Sequence, residues 1–267
     1  MMAALDKAVA IMRRDLLTAV RYRTGFLMTL AGAFAELVAF YFLSRAIGPA
    51  FRPDGVDYFP FVLVGTGFYT FMVMGINSFL NIVQEAQQNG TLEVLMTSPT
   101  QPALLVLLSA LSAFGANVVQ LVFYLGGGLL LSNTSLPHAN VPGFAIVGLL
   151  SLAIAGAIGL FAASVQLAIQ KGSAVVWLLG SGLWFLTGAL FPVGALPRPL
   201  QTISAFLPVT HSLTGIRQAL LQGENLSALS HEIGILALFT ALLIPFALLT
   251  FSFTLRRARR EGTLSFY

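Results

Sequence analysis

The chain has 267 residues, of which 57% are hydrophobic and 9% are charged, and its mean hydropathy is +0.86. Soluble domains carry roughly a quarter charged residues, so this composition excludes an ordinary soluble enzyme and indicates an integral membrane protein. The formal net charge is +4 and cysteine is absent, which excludes disulfide bonds and thiolate metal sites.

Nine of the fourteen basic residues lie in the terminal segments 1–23 and 256–267. Basic residues accumulate on the cytoplasmic side of membrane helices, so both termini are predicted to be cytoplasmic, which requires an even number of spans. These clusters adjoin membrane helices, so nucleic-acid binding is not expected. Residues 1–23 alternate apolar and basic side chains with helical spacing, which predicts an amphipathic helix at the membrane surface, with an ordinary cytoplasmic helix as the alternative.

Six segments are long and apolar enough to cross a bilayer, which takes about 20 apolar residues. They are residues 24–44, 58–80, 103–131, 144–169, 174–191 and 233–255. The loops then alternate between the two sides, with ten basic residues inside and four outside. The predicted fold is therefore all-α, with six transmembrane helices in a domain at 24–255 and a basic cytoplasmic tail at 256–267.

A short cytoplasmic helix is predicted at about 90–98, between the second and third spans. Asn89 and Gly90 form a turn signal, Thr91 can cap the helix, and Glu93 lies in the first turn, where its charge suits the helix dipole. An apolar stripe and a terminating proline follow, formed by Leu92, Leu95, Met96 and Pro99. A helix of about two turns needs a docking surface, which is either its own protein or a partner.

The segment at about 192–222 combines four prolines with apolar runs that are too short to span a membrane. These runs predict a re-entrant or interfacial helical hairpin before the last span. A plain extracellular loop is the alternative, but it would expose too many apolar side chains to water.

Two sequence blocks resemble one family. The sequence from Asn89 to Pro99, N-G-T-L-E-V-L-M-T-S-P, is similar to the G-T-L-E-x-L-x-x-[ST]-P signature of ABC-2 type transporter permeases. The second block resembles the tail of the same family and includes Phe191, Pro192, Pro197, Pro208, His211 and Arg217. The family often has charged residues before G-T-L-E, whereas 86–89 is uncharged here.

The resemblance implies that the 90–98 helix is a coupling helix, gripped by a separate ATPase subunit. It also implies that the 192–222 hairpin closes the outer end of a transport path, with Arg217 as an anchor at the outer interface. Six spans are few for a transporter, so a two-fold homodimer within the lipid bilayer is expected, with a heterodimer as the alternative. Two copies of the ATPase subunit are expected to bind this dimer. A bacterial inner or plasma membrane is the expected location.

No catalytic or metal site is predicted. The two lysines, Lys7 and Lys171, do not follow a glycine, which excludes a nucleotide-binding P-loop. The pair 231–232 lacks the second histidine of H-E-x-x-H, and 180–182 is not a G-x-S-x-G motif. The chain is therefore not expected to be an enzyme or to hold a cofactor, and ATP with Mg is expected on the partner ATPase.

Polar side chains within the spans are candidates for the transport path. Glu36, near the middle of the first span, could face the path, meet a cationic substrate or carry a proton; a paired structural acid is an equal alternative. The other candidates are Asn117, Gln120, Gln166 and Trp184. The three amides are also suited to hydrogen bonds between helices, and the indole could stack on cargo or simply pack.

The predicted function is the permease subunit of an ATP-driven ABC-2 exporter that moves a drug-, antibiotic- or lipid-like substrate outward by alternating access. The tail favours the multidrug branch, and export of a lipid-linked glycan is the alternative within the family. An ion-coupled secondary transporter using Glu36 and a non-transporting membrane scaffold are the alternatives from other classes.

Overall fold

The computed structural model describes residues 23–89, 102–132, 139–169, 171–182 and 184–261. Every regular element in these ranges is helical, which agrees with the predicted all-α class. In chain order the helices are α1 (Arg23–Ile47), α2 (Tyr58–Gln88), α3 (Pro102–Ser132), α4 (Val141–Ile169), α5 (Gly172–Trp177), α6 (Arg198–Ala205), α7 (Pro208–Arg217) and α8 (Ser230–Glu261).

Three of the described helices have the length and hydropathy needed to cross a membrane. They are α2, α4 and the Ser230–Ala258 part of α8. The helices α1 and α3 coincide with the predicted spans 24–44 and 103–131, to within three residues at each end. α2 continues beyond the predicted end at residue 80 as far as Gln88. The count of six spans stays a prediction.

The fifth predicted span, 174–191, differs from a uniform α-helix. α5 ends at Trp177 and leads into a π-helical turn at Leu178–Gly182 and then a 3₁₀ turn at Trp184–Leu186. Residues 187–191 form turns and bends. Gly188 has a φ of +79°, a left-handed conformation that no residue of a right-handed helix adopts, so the helical stretch ends before it.

α2 is the central helix of the described part of the chain, and its residues from Tyr58 to Tyr69 are all buried. It packs against α3 and α1 on one side and against α4 on the other, while α8 packs along α4. A Cβ atom at Gly159 would lie 2.9 Å from the Ile76 carbonyl oxygen, so the glycine permits close approach of α4 to α2. Gly159 therefore contributes to packing within one chain.

Loops and helix ends that are predicted to lie on the same side of the membrane contact each other in the structure. At one end, the Gln222 Nε2 group donates to the Asp54 carbonyl at 3.2 Å, and the Asn140 N–H donates to the Ala219 carbonyl at 2.8 Å. At the other end, the carboxyl-terminal part of α8 packs in one cluster with the end of α2. The fold is therefore compatible with the predicted alternation of loops.

The predicted hairpin at 192–222 contains α6 and α7. Pro197 immediately precedes α6, and Pro208 is the first residue of α7, where a missing N–H costs no helical hydrogen bond. α6 is largely exposed, whereas α7 is buried among α2, α4 and α8. The hairpin thus buries Arg217 of α7 in the core of the chain and leaves His211 partly buried.

Candidate functional site

A groove of about 230 Å³ lies between α1, α2 and α3, and we call it the Glu36 groove. Three predicted path residues, Glu36, Asn117 and Gln120, line it together. Its other polar side chains are Thr70 and Tyr124, and its apolar walls include Phe71, Met74 and Leu121. The structure therefore unites candidates from two predicted spans that are about eighty residues apart in the chain.

Helical spacing explains how three helices supply this lining. On α3 the lining residues are 117, 120, 121 and 124, and on α2 they are 67, 70, 71 and 74. Residues separated by three, four and seven positions occupy one helix face. Gly67 lets α3 approach, because a Cβ atom there would lie 2.7 Å from the Tyr124 ring.

Hydrogen bonds fix the polar side of the Glu36 groove. The Thr66 hydroxyl donates to the Val62 carbonyl at 2.8 Å, and the Thr66 and Tyr124 hydroxyl oxygens are hydrogen-bonded at 3.0 Å. The Glu36 carboxyl group is half-buried and interacts with the same Tyr124 hydroxyl. None of the described residues that line the groove is basic. This chemistry suits a cationic or hydroxyl-bearing ligand better than an anionic one.

Gln166, another predicted path residue, lies elsewhere. It belongs to a buried group that we call the glutamine cluster, formed by Gln84, Gln87 and Gln166. The Gln166 Oε1 atom accepts from the Gly172 N–H at 3.0 Å and from Gln84 Nε2 at 3.4 Å, while its Nε2 donates to Gln87 Oε1 at 3.3 Å. Gln87 and Gln166 are each 2% exposed. The cluster ties α4 and α5 to the end of α2.

Trp184 does not line the Glu36 groove. It lies in the 3₁₀ turn Trp184–Leu186, and its ring centroid is 6.5 Å from that of Tyr69 and 5.4 Å from that of Phe185. The indole also packs against the largest apolar cluster of the described residues. Its observed contacts are those of a packing side chain.

Arg217 is buried, with 6% of its surface exposed. Its Nε donates to the Phe61 carbonyl at 3.2 Å, and its two Nη groups donate to the carbonyls of Gly188 and Ala189 at 2.8 Å each. The guanidinium carbon lies 3.6 Å from the centroid of the Phe61 ring, a cation–π contact. Arg217 therefore joins α7, α2 and the turn near the end of the fifth predicted span.

His211 forms a second link between elements. Its Nδ1 atom lies 2.7 Å from the Glu232 carboxylate at the start of α8, and its Nε2 atom lies 2.9 Å from the Ala205 carbonyl. The hydrogen bond with Glu232 raises the pKa of His211 above its ordinary value, against the opposing effect of burial. Both nitrogens thus face acceptors, an arrangement that favours the protonated ring.

The remaining predicted site residues fall into two groups. Phe191 and Pro192 follow the Gly188 turn, where Pro192 precedes a short 3₁₀ turn at Val193–Ala195. The coupling residues lie outside the described part of the chain, and so do residues 1–22 of the predicted amphipathic helix. These coupling residues are Gly90, Thr91, Leu92, Glu93, Leu95, Met96 and Pro99.

Sequence reasoning missed Tyr124, the partner of Glu36, and Asp54, which faces Gln222. Tyr124 occupies the position four residues after Gln120, so helical spacing from the chosen amides would have found it. The contact between Asp54 and Gln222 joins residues 168 apart, and no local pattern marks it.

Comparison with known proteins agrees with the resemblance. The family described as ABC-2 family transporter protein matches residues 49–249, about three quarters of the chain. The chain belongs to the ABC-2 transporter family. Two curated relatives of this ABC-2 family member are Nodulation protein J of Rhizobium leguminosarum bv. viciae and of bv. trifolii. Each is 41% identical over 66 residues, which cover 25% of this chain and 24% of the relative.

The family and the apolar helices identify an integral membrane transport subunit. The alignments with the two curated relatives span about a quarter of their length.

Proposed function

We propose that this ABC-2 family chain is the permease subunit of an ATP-driven exporter, and that its substrate contacts the Glu36 groove. The observation that carries the proposal is the meeting of Glu36, Asn117 and Gln120 in one groove with apolar walls. Polar side chains within membrane helices cost free energy, so they usually serve a function. Here such side chains converge from separate helices. The groove is the natural contact point for cargo that moves through the bilayer.

The lining indicates the class of substrate. The carboxyl group of Glu36 and the neighbouring amides suit an amine or hydroxyl group, while Phe71 and Met74 suit an apolar body. An amphiphilic drug-, antibiotic- or lipid-like molecule has both parts. The same acceptors and donors also suit the hydroxyl groups of a lipid-linked glycan, which is the second candidate.

The size of the groove supports a dimer. Binding pockets for drug-sized ligands have volumes of about 300–1,000 Å³, and the Glu36 groove has about 230 Å³. One chain therefore encloses only part of such a ligand. A second copy of the chain, related by a two-fold axis, would complete the enclosure.

The energy source in this proposal is external. The chain lacks a P-loop, so two copies of a separate ATPase subunit would bind ATP with Mg. The ATPase subunits would bind the 90–98 segment, which directly follows α2 in the sequence. This segment is thereby connected to the Glu36 groove, because α2 lines the groove. Movement of α2 would then open the groove alternately to the two sides. In this arrangement both termini are cytoplasmic, and the complex resides in a bacterial inner or plasma membrane.

The test uses inside-out membrane vesicles from cells that produce the chain together with an ABC ATPase of the same organism that co-purifies with it. ATP-dependent uptake of ethidium, a lipophilic cation, is measured beside uptake of Nile red, a neutral lipophilic dye. We expect ATP-dependent uptake of ethidium that vanadate abolishes. Uptake driven by a respiratory proton gradient in vesicles depleted of ATP would instead establish an ion-coupled secondary transporter.

The variant Glu36→Gln keeps the shape of the side chain and removes its charge. We expect ethidium uptake to fall about tenfold, the value of one hydrogen bond to a charged group, with a smaller effect on Nile red. The control is Glu224→Gln, which removes an exposed acid outside the groove and leaves the backbone carbonyl that accepts from Asn140. Equal ethidium uptake in the two variants would refute the assignment of the groove.

A further inference from the structure

A second cavity, of about 340 Å³, lies at the other end of α2 from the glutamine cluster, and we call it the Arg217 cavity. It is bounded by the turn at Pro53–Gly55, by residues 187–194 and by the end of α7 with the turn that follows. Its polar lining residues are Asp54, Thr187, Thr214, Arg217, Gln218 and Gln222.

The charge of Arg217 is incompletely matched by the surrounding protein. The three bonds to carbonyls use three of the five N–H groups of the guanidinium. Among the described residues, no carboxylate lies within 4.0 Å of it, and Asp54 interacts with it only electrostatically. Buried charges are normally paired with an opposite charge. The cavity therefore presents a buried cation at its base.

A second polar group in the same cavity also lacks a partner. The Oε1 atom of Gln218 is buried and accepts no hydrogen bond from the described residues. Buried acceptors are normally paired, so an unpaired one beside a cation calls for a ligand that also carries a donor.

The opposite charge lies on the rim. Asp54 is exposed and has a φ of +53°, the left-handed conformation that aspartate tolerates better than most residues. The Gln222 side chain donates to its backbone carbonyl at 3.2 Å, so a residue on the far side of the cavity helps to fix this turn. The carboxylate is thus kept at the mouth of a cavity with a cation at its base.

We infer that the Arg217 cavity binds the headgroup of a phospholipid that carries a primary amine, such as phosphatidylethanolamine. The phosphate would accept from the free N–H groups of Arg217, and both of its ester arms would run toward the mouth. The glycerol arm would leave the cavity there, and the ethanolamine arm would bring its ammonium group to Asp54, where it could also donate to Gln218. The volume suits a headgroup and excludes a complete lipid. Choline has no N–H donor, so phosphatidylcholine should bind less tightly. This site is separate from the Glu36 groove and does not depend on the proposed transport function.

The test titrates the purified chain in detergent with short-chain lipids and follows binding by native mass spectrometry. The probes are phosphatidylethanolamine, phosphatidylcholine and phosphatidylglycerol with identical acyl chains. We expect phosphatidylethanolamine to bind about fivefold more tightly than the other two, which corresponds to an exposed ion pair of ~1 kcal/mol. Equal affinity for the three lipids would overturn the inference.

Two variants address the cavity without removing Arg217, whose loss could prevent folding. Asp54→Asn should abolish the preference for the ethanolamine lipid, and Gln218→Met should weaken its binding while leaving the thermal midpoint of the lipid-free chain unchanged. The control is Asp57→Asn, in the same loop, because Asp57 pairs with Arg52 at 3.0 Å and does not line the cavity. A preference that survives Asp54→Asn would overturn the inference.

Competition with soluble O-phosphoethanolamine distinguishes a membrane phospholipid from a free amino-phosphate as the ligand. If it competes with the lipid only at concentrations well above those of the short-chain lipid, the ligand is a membrane lipid. If it binds as tightly as the lipid, the cavity accepts a free amino-phosphate, and the assignment to a phospholipid is wrong.

Discussion

Replacement of Gln166 by leucine should destabilise the chain strongly, although leucine is the more hydrophobic residue. The change Gln166→Leu removes the acceptor of the Gly172 N–H and the donor to Gln87 Oε1. Both groups belong to buried residues, with Gln87 only 2% exposed. Each buried group left without a partner costs about 1–3 kcal/mol.

The two unpaired groups together cost about 2–6 kcal/mol, and burial of the leucine side chain returns about 1–2 kcal/mol. A net loss of about 3 kcal/mol is therefore expected. For a chain of this size, each 1 kcal/mol lowers the thermal midpoint by about 2–4 °C, so the shift is on the order of 10 °C. The assay is thermal unfolding of the purified chain in one detergent, followed by tryptophan fluorescence.

The matched control is Gln84→Leu. The Gln84 bond to Gln166 is long, at 3.4 Å, and its loss leaves Gln166 still paired with the Gly172 N–H. This variant should cost less than ~1 kcal/mol. If the midpoints of the two variants differ by less than about 3 °C, the cluster is not a structural connection and the reasoning fails.

Two further predictions concern packing and pH. Gly159→Ala should destabilise the chain by about 1–3 kcal/mol, because the added Cβ would lie 2.9 Å from the Ile76 carbonyl oxygen. Gly148→Ala in the same helix, where nothing lies within 4 Å, should stabilise it by up to ~1 kcal/mol, and thermal midpoints of the pair check both. The pKa of His211 is raised by its bond to Glu232, so the stabilisation that the pair provides is complete below the ordinary pKa and is lost as pH rises through the raised one. The midpoint should therefore fall with rising pH across this range in the wild type and much less in Glu232→Gln, whereas parallel pH profiles would contradict the pairing.

Hydropathy and motifs predicted the class of the protein and the positions of most helices, because these depend on local properties. Apolar length located α1, α3 and α4 to within a few residues. The family resemblance was confirmed by the match over residues 49–249.

Glu36, Asn117 and Gln120 are each predicted separately, because a polar group within a membrane helix is costly. Spacing shows that 117 and 120 share a helix face, but the packing of α1 beside α3 is a tertiary property that one sequence does not display. Gln166 illustrates the same limit. Its partners on α2 lie about eighty residues earlier in the chain, so its polarity was visible and its hydrogen bonds were not.

The fifth predicted span shows a different limit. Its apolar length satisfied the criterion for a helix, whereas its ending depends on a backbone angle. The left-handed Gly188 exposes two consecutive carbonyls to Arg217, and the bonds formed there stabilise a turn that hydropathy does not predict.

The stretch from Gly172 to Ala189 is hydrogen-bonded to other helices at both ends. Gln166 binds the Gly172 N–H at its start, and Arg217 binds the carbonyls of Gly188 and Ala189 at its end. Between these two contacts the described backbone, 172–182 and 184–189, includes α, π and 3₁₀ geometry. The rise per residue is about 1.5 Å in an α-helix and about 2.0 Å in a 3₁₀ helix, so exchange of geometry over four residues changes the length by about 2 Å. A displacement of that size at one end can thus be accommodated by a local change of helix type, which rotates the intervening side chains while the hydrogen bonds at both ends remain.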